Sequence, residues 1–193
     1  MIASRMNVGK GLETTTMKTL LALLGCSALG AAQEAASPKP STEHAWLQPL
    51  EGEWSGAGEG LAAPDQPPVK TKGAATGRSL GGFWILLECR GDVAGAPFTG
   101  LLTLGYDAAK KKYVGSWVDS MTATQWRYEG SLDEAGKLLT LETEGLSPLT
   151  GKLEKFRETI ERKDKDAWIL RSSIQADGKW VEFLKMSYTR KEK

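Results

Sequence analysis

Histidine is almost missing from this 193-residue sequence: His44 is the only one. A metal centre built on imidazoles is therefore excluded, and no close pair of cysteines stands in for them. The carboxylates show no loop spacing of the Ca²⁺-binding kind. Neither charge sign is in excess, with 25 Lys and Arg against 24 Asp and Glu, a net +1. There is no basic footprint for nucleic acid. No apolar run is long enough to cross a bilayer as a helix; the longest, Leu20 to Leu29, is about half the required length. No nucleophile elbow occurs. No repeat of solenoid period and no second domain is visible.

What is present points to a single exported β domain. The length suits one domain of roughly 150 residues with a real core. Lys18, the run Leu20–Leu29 and the small residues Gly30-Ala31-Ala32 read as the basic, apolar and cleavage regions of a signal peptide over residues 1–32. Cleavage is expected before Gln33. Met17-Lys18 reads as a natural start, on which reading residues 1–16 would be a mis-called extension. Leu23-Leu24-Gly25-Cys26 offers a competing reading, a lipobox that would anchor the chain through a lipid on Cys26. Only seven residues separate Lys18 from Cys26, few for a lipoprotein signal. Export places the protein in the periplasm or outside the cell. Without residues 1–32 the chain carries 22 basic and 23 acidic residues, and Cys89 is its only thiol. A lone cysteine forms no internal disulfide. It shares a strand face with Phe83, Ile85 and Leu87, which predicts a buried, inert thiol.

Residues 33–42 are an Ala/Ser/Pro-rich leader, expected to be mobile, and the folded domain is expected over 43–193. Ser41 or Thr42 caps a short helix reaching about Leu50, with Glu43 in its first turn. Trp46 and Leu50 lie one turn apart and bury together. From there the chain is punctuated by regular turn signals, among them Gly81-Gly82, Asp107 to Lys111, Asp133 to Gly136 and Asp177-Gly178, the last a strong hairpin signal. Lys110, Lys111 and Lys112 form a solvated hairpin tip. Ten strands are predicted, at 53–60, 69–79, 83–90, 97–106, 112–119, 124–132, 137–145, 152–162, 167–176 and 180–190. Short connections make them an antiparallel meander, and ten such strands close into a barrel that removes its edges. The fold class is all-β, with room inside for a small ligand or a polar network. In the first strand Gly52, Trp54, Gly56, Gly58 and Gly60 share one face. A ring followed by bare backbone predicts a bent strand that something approaches closely. With no Lys-Ser/Thr and no helix after them, these glycines are not a phosphate loop.

With Gly52-Glu53-Trp54 on the first strand and Arg190 ending the last, the chain resembles a calycin. In lipocalins and their relatives the Gly-x-Trp ring packs against an Arg of the closing strand, a cation–π contact that the resemblance implies for Trp54 and Arg190. A closer resemblance covers nearly the whole mature chain. The segments His44-Ala45-Trp46-Leu47, Leu50-Glu51-Gly52-Glu53-Trp54, Leu80-Gly81-Gly82-Phe83-Trp84, Phe98-Thr99-Gly100, Leu104-Gly105-Tyr106-Asp107 and Tyr113-Val114-Gly115-Ser116-Trp117-Val118-Asp119-Ser120 are similar to the bacterial domain-of-unknown-function family 1579. That resemblance implies a lipocalin-like barrel, frequent export and no established activity. Gly52-x-Trp54-x-Gly56-x-Gly58 also resembles the opening of nitrobindins, ten-stranded haem barrels whose iron ligand is a late His. Here no His follows His44, so no haem and no other cofactor is expected.

The candidate pocket comes from strand parity. Trp117 and Asp119 share a face, as do Trp126 and Tyr128 on the next strand, whose other face is Gln125, Arg127 and Glu129. Hairpin neighbours pair across, so the four are expected to line the interior with Trp54 beneath them. Core aromatics with a structural Asp are the alternative. His44 is expected to bond backbone while its helix covers a barrel mouth. No catalytic residue and no metal ligand is assigned. The favoured function is non-covalent binding of a small hydrophobic or amphipathic molecule. An enzyme with Asp119 as its acid or base, and an envelope protein with a filled barrel, are the alternatives. Oligomeric state is not legible.

Overall fold

Alternation of apolar and polar residues recurs in segment after segment between Gly52 and Arg190, and it builds strands rather than helices. The computed structural model describes residues 38–61, 66–93, 95–147 and 150–192. The expected signal segment 1–32, the lipobox reading at Cys26 and the expected leader up to residue 37 lie outside the described residues.

One short helix, α1 (Thr42–Leu47), runs into a 3₁₀ turn (Gln48–Leu50). Pro49 sits in that turn and has no N–H to continue the α pattern. Ten strands follow: β1 (Gly52–Gly60), β2 (Val69–Leu80), β3 (Trp84–Val93), β4 (Ala96–Asp107), β5 (Lys112–Asp119), β6 (Trp126–Leu132), β7 (Leu138–Leu146), β8 (Leu153–Arg162), β9 (Ala167–Ala176) and β10 (Lys179–Arg190). Each is antiparallel to its neighbour in sequence, and β1 also pairs with β10, so the sheet is a closed ten-strand barrel. The hairpin between β9 and β10 turns on Asp177 and Gly178, at φ +48° and +75° between the paired Ala176 and Lys179. Those are the left-handed conformations that a two-residue hairpin needs.

The helical segment seals one end. Tyr113 donates its hydroxyl proton to the Glu43 carbonyl at 2.9 Å, the Trp46 indole N–H reaches the Gly136 carbonyl at 2.8 Å, and Arg162 bonds the Trp46 carbonyl at 3.1 Å. Leu47 and Leu50 are wholly buried, each worth about 1.5–3 kcal/mol in apolar surface removed from water. His44 is buried here too. Its Nδ1 accepts the Ser41 backbone N–H at 3.0 Å, and its ring meets the edges of Phe83 and Tyr106. Above this plug the lower half of the barrel is filled by Trp54, Ile85, Leu104 and Leu139.

The glycines of β1 make room for the last strand. A Cβ on Gly56 would press on the Tyr188 ring, and one on Gly58 would strike the Lys185 backbone oxygen and the Met186 sulfur. What approaches the bare backbone of β1 is therefore the barrel's own closing strand, through Tyr188 and Met186.

Candidate functional site

The upper half of the barrel, away from α1, is hollow. A cavity of about 240 Å³ lies there. Its walls are largely apolar, with Leu87, Leu102, Leu141, Ile160, Leu170 and Met186 among them. Aromatic faces line it as well. The Trp168 and Tyr188 rings stack at 4.0 Å and 12°, and Trp117 stacks on Phe98 at 6.1 Å. Near the mouth, Gly73 of β2 and Gly91 of β3 face each other as paired bare backbone.

One acidic group stands inside. Glu158 of β8 pairs with Ser172 of β9 and Leu141 of β7, and Phe156 and Ile160 flank it on the same face. It is far from bulk water but keeps some accessible surface because it looks into the cavity. The buried Ser172 hydroxyl donates to its carboxylate at 2.5 Å. Burial pushes the Glu158 carboxyl up to about 8, and the Ser172 hydrogen bond only partly opposes this. The carboxyl is therefore mostly protonated at neutral pH. Burial also raises Tyr128 and Tyr188, and the Glu158 charge adds to the rise at Tyr128. Cys89, buried beside Tyr188, is pushed up to about 11 by the same desolvation, which suppresses its thiolate. The indole N–H of Trp168 is buried without a partner.

The structure divides the residues that parity singled out. Trp117 and Tyr128 line the cavity. Asp119 does not: it ends β5, where one carboxylate oxygen accepts the Trp117 indole N–H at 2.8 Å and the other accepts the N–H groups of Met121 and Thr122 at 2.8 and 2.9 Å. Its oxygens are committed to shaping the turn and holding Trp117. Trp126 points inward but fills a seam. β6 pairs with β7 only from Glu129 to Leu132, and where they part the Trp126 ring lies on bare Gly145 and against Phe156 at 4.8 Å. Trp54 lies below the cavity floor, edge-on to Trp168 at 6.0 Å, with its indole N–H on the Leu50 carbonyl and the Arg190 guanidinium 4.1 Å over its ring. The carboxyl that faces the cavity is Glu158. Its signal in the sequence is a Glu set two residues from Phe156 and two from Ile160, with Ser172 at the matching level of the next strand. Among the described residues no three His, Cys, Asp or Glu side chains gather as a metal would require.

A family described as "Protein of unknown function (DUF1579)" matches residues 39–190. No curated protein matches the chain. Among solved structures, Rv2717c from M. tuberculosis superimposes with a TM-score of 0.57 at 16% identity, covering 80% of this chain and all of that one. A redesigned β-barrel aligns over the same shares at 12% identity with a TM-score of 0.42. The first likeness is one of fold, and the second is too slight to argue from.

Proposed function

The chain belongs to the DUF1579 family, whose description assigns no activity, and we propose from the cavity itself that it binds a small hydrophobic or amphipathic molecule without chemical change. The observation that carries this reading is the hollow upper barrel: about 240 Å³ walled by apolar and aromatic side chains, with a single inward carboxyl. Binding pockets have this composition, a broad apolar lining with few polar groups that orient the guest. Leaving such a space empty forfeits dispersion contacts, and a guest restores them. Glu158 is the acidic group of the lining available to an amphipathic guest.

Export belongs to the same reading and rests on the sequence at Lys18 to Ala32. Mass spectrometry of the N-terminal peptide tests it. A chain beginning at Gln33 supports export, and a lipid-modified Cys26 at the N-terminus would replace cleavage with anchoring.

Native mass spectrometry of the purified protein, followed by titration with the neutral fluorophore N-phenylnaphthylamine, tests binding. The expected result is a retained small molecule that is lost on unfolding, or a saturable, blue-shifted signal from the empty protein. The absence of both a retained molecule and saturable binding would overturn the proposal.

A further inference from the structure

Glu158 is the only charged side chain turned into the cavity among its described lining residues. Lys72 and Arg90 also border it, but alternation on β2 and β3 turns inward Thr71, Gly73, Cys89 and Gly91, which sends Lys72 and Arg90 outward. Both are exposed, and Arg90 pairs with Glu88 of the same outer face. Asp92, near the end of β3, has the outward parity of Arg90, and its exposed carboxylate accepts the Gly95 N–H at 2.6 Å. Among the described residues no cation therefore balances Glu158, and its polar partner there is a neutral hydroxyl. Buried charge is normally paired. Either a proton or a guest must supply the missing positive charge.

The surrounding rings favour the same sign. Trp168, Tyr188, Tyr128, Trp117 and Phe98 all border the cavity. Aromatic faces carry negative electrostatic potential and attract ammonium groups. An anionic head would meet a carboxyl and π-faces with no inward Lys or Arg to hold it. We propose that the guest is an organic cation, an amine with an apolar body, whose ammonium is held by the Glu158 carboxylate among these rings. This deepens the binding function proposed above and rests on it.

The proposal has a proton signature. The amine binds the ionised carboxylate, whereas the empty site is protonated below about pH 8. Binding then releases a proton, and affinity rises by up to about tenfold per pH unit until the carboxyl is already ionised. The other titratable groups facing this space lie above that window: Tyr128 from β6, Tyr188 from β10 and Cys89 from β3 are all held high by burial. β7 and β9 face Glu158 with Leu141 and Ser172, and neither changes charge.

Three probes of one chain length separate the outcomes: octylamine, octanol and octanoate, titrated calorimetrically against the wild-type chain and Glu158→Gln from pH 6 to 9. The expected result is that octylamine binds wild type at least about tenfold more tightly than octanol, with affinity rising from pH 6 to 8 and then levelling. Glu158→Gln, checked for a native melting transition, should lose that preference and the pH dependence while still taking octanol. Octanol or octanoate binding as tightly as octylamine, or pH-independent octylamine binding to wild type, would overturn the amine assignment and leave the binding barrel standing. No binding of any probe at any pH would remove both.

Discussion

The guanidinium of Arg190, at the end of the last strand, lies 4.1 Å over the indole of Trp54 on the first. The same group donates to the carbonyls of Glu51, Pro49 and Lys165 at 2.7, 2.9 and 2.8 Å and to the Asp166 carboxylate at 3.0 Å. One side chain thus joins the first strand, the last strand, the helical plug and the turn before β9. Lysine has the charge but not the planar fork that reaches four acceptors. Arg190→Lys should therefore cost about 1–3 kcal/mol, because charged hydrogen bonds are lost and the part-buried Pro49 carbonyl loses its donor. Urea unfolding monitored by tryptophan emission reads this directly. A loss below about 0.5 kcal/mol would mean that the fork is surface decoration.

The β1 glycines predict a contrast within one strand. A methyl on Gly58 would run into the Lys185 backbone oxygen, which is fixed by strand pairing, whereas one on Gly60 would crowd the Leu184 Cδ1 at 3.2 Å, the movable end of a side chain, and touch the Phe183 carbonyl oxygen at an ordinary 3.7 Å. Gly58→Ala should destabilise by about 1–3 kcal/mol. Gly60→Ala should stay within about 0.5–1 kcal/mol of wild type in either direction, because alanine also restricts the unfolded chain. Equal effects at the two positions would show that close packing against β10 is not what keeps glycine in this strand.

The strands were legible because each carries its own alternation and each gap its own turn residues. Asp177-Gly178 announced its hairpin from two residues alone, and the closed meander followed from short connections. The site was less legible because parity shows which residues share a face but not where along the barrel each one falls. Trp117 and Tyr128 reach the hollow part, while Trp126, on the same face as Tyr128, is used up in the seam between β6 and β7. Asp119 shares the Trp117 face yet stands at the strand end, where turn N–H groups claim it. Glu158 was hidden by its chain neighbours. In Leu153–Arg162 charged residues occupy both faces, so a Glu between Phe156 and Ile160 did not stand out as inward.

Glu158 also makes stability depend on pH. Its folded value, about 8, lies above the ordinary carboxyl value of 4.5, so the folded state holds a proton that the unfolded chain has already given up. Between those values stability falls as pH rises, by up to about 1.4 kcal/mol per unit. Carboxyls held low act in the opposite sense and at lower pH. Glu161, bonded by Lys163 and Arg171, is one, and Asp133, bonded by the Leu138 and Lys137 N–H groups, is another. Urea midpoints of the empty protein should decline from pH 5 to 8, and Glu158→Gln should flatten that decline and be the more stable form at pH 8. Parallel curves for the two proteins would show that Glu158 is ionised in the fold without cost.

Asp119 holds Trp117 at the cavity wall, and its two oxygens can be tested apart. One accepts the Trp117 indole N–H and the other caps Met121 and Thr122. In Asp119→Asn the amide oxygen still serves the turn, but the amide NH₂ then faces the indole N–H, donor against donor. The turn survives and Trp117 is released from its position over Gly100 and Phe98. The expected outcome is a small loss of stability, about 0.5–1.5 kcal/mol, with weaker uptake of N-phenylnaphthylamine and an altered near-ultraviolet tryptophan signal. Trp117→Phe keeps an aromatic wall but removes the N–H, so adding Asp119→Asn to it should change uptake little further. The cycle of single and double variants should thus show a coupling of roughly 0.5–3 kcal/mol in probe binding. Strictly additive effects would mean that Asp119 acts on the turn alone, and that Trp117 keeps its place through packing on Phe98 without help from the carboxylate.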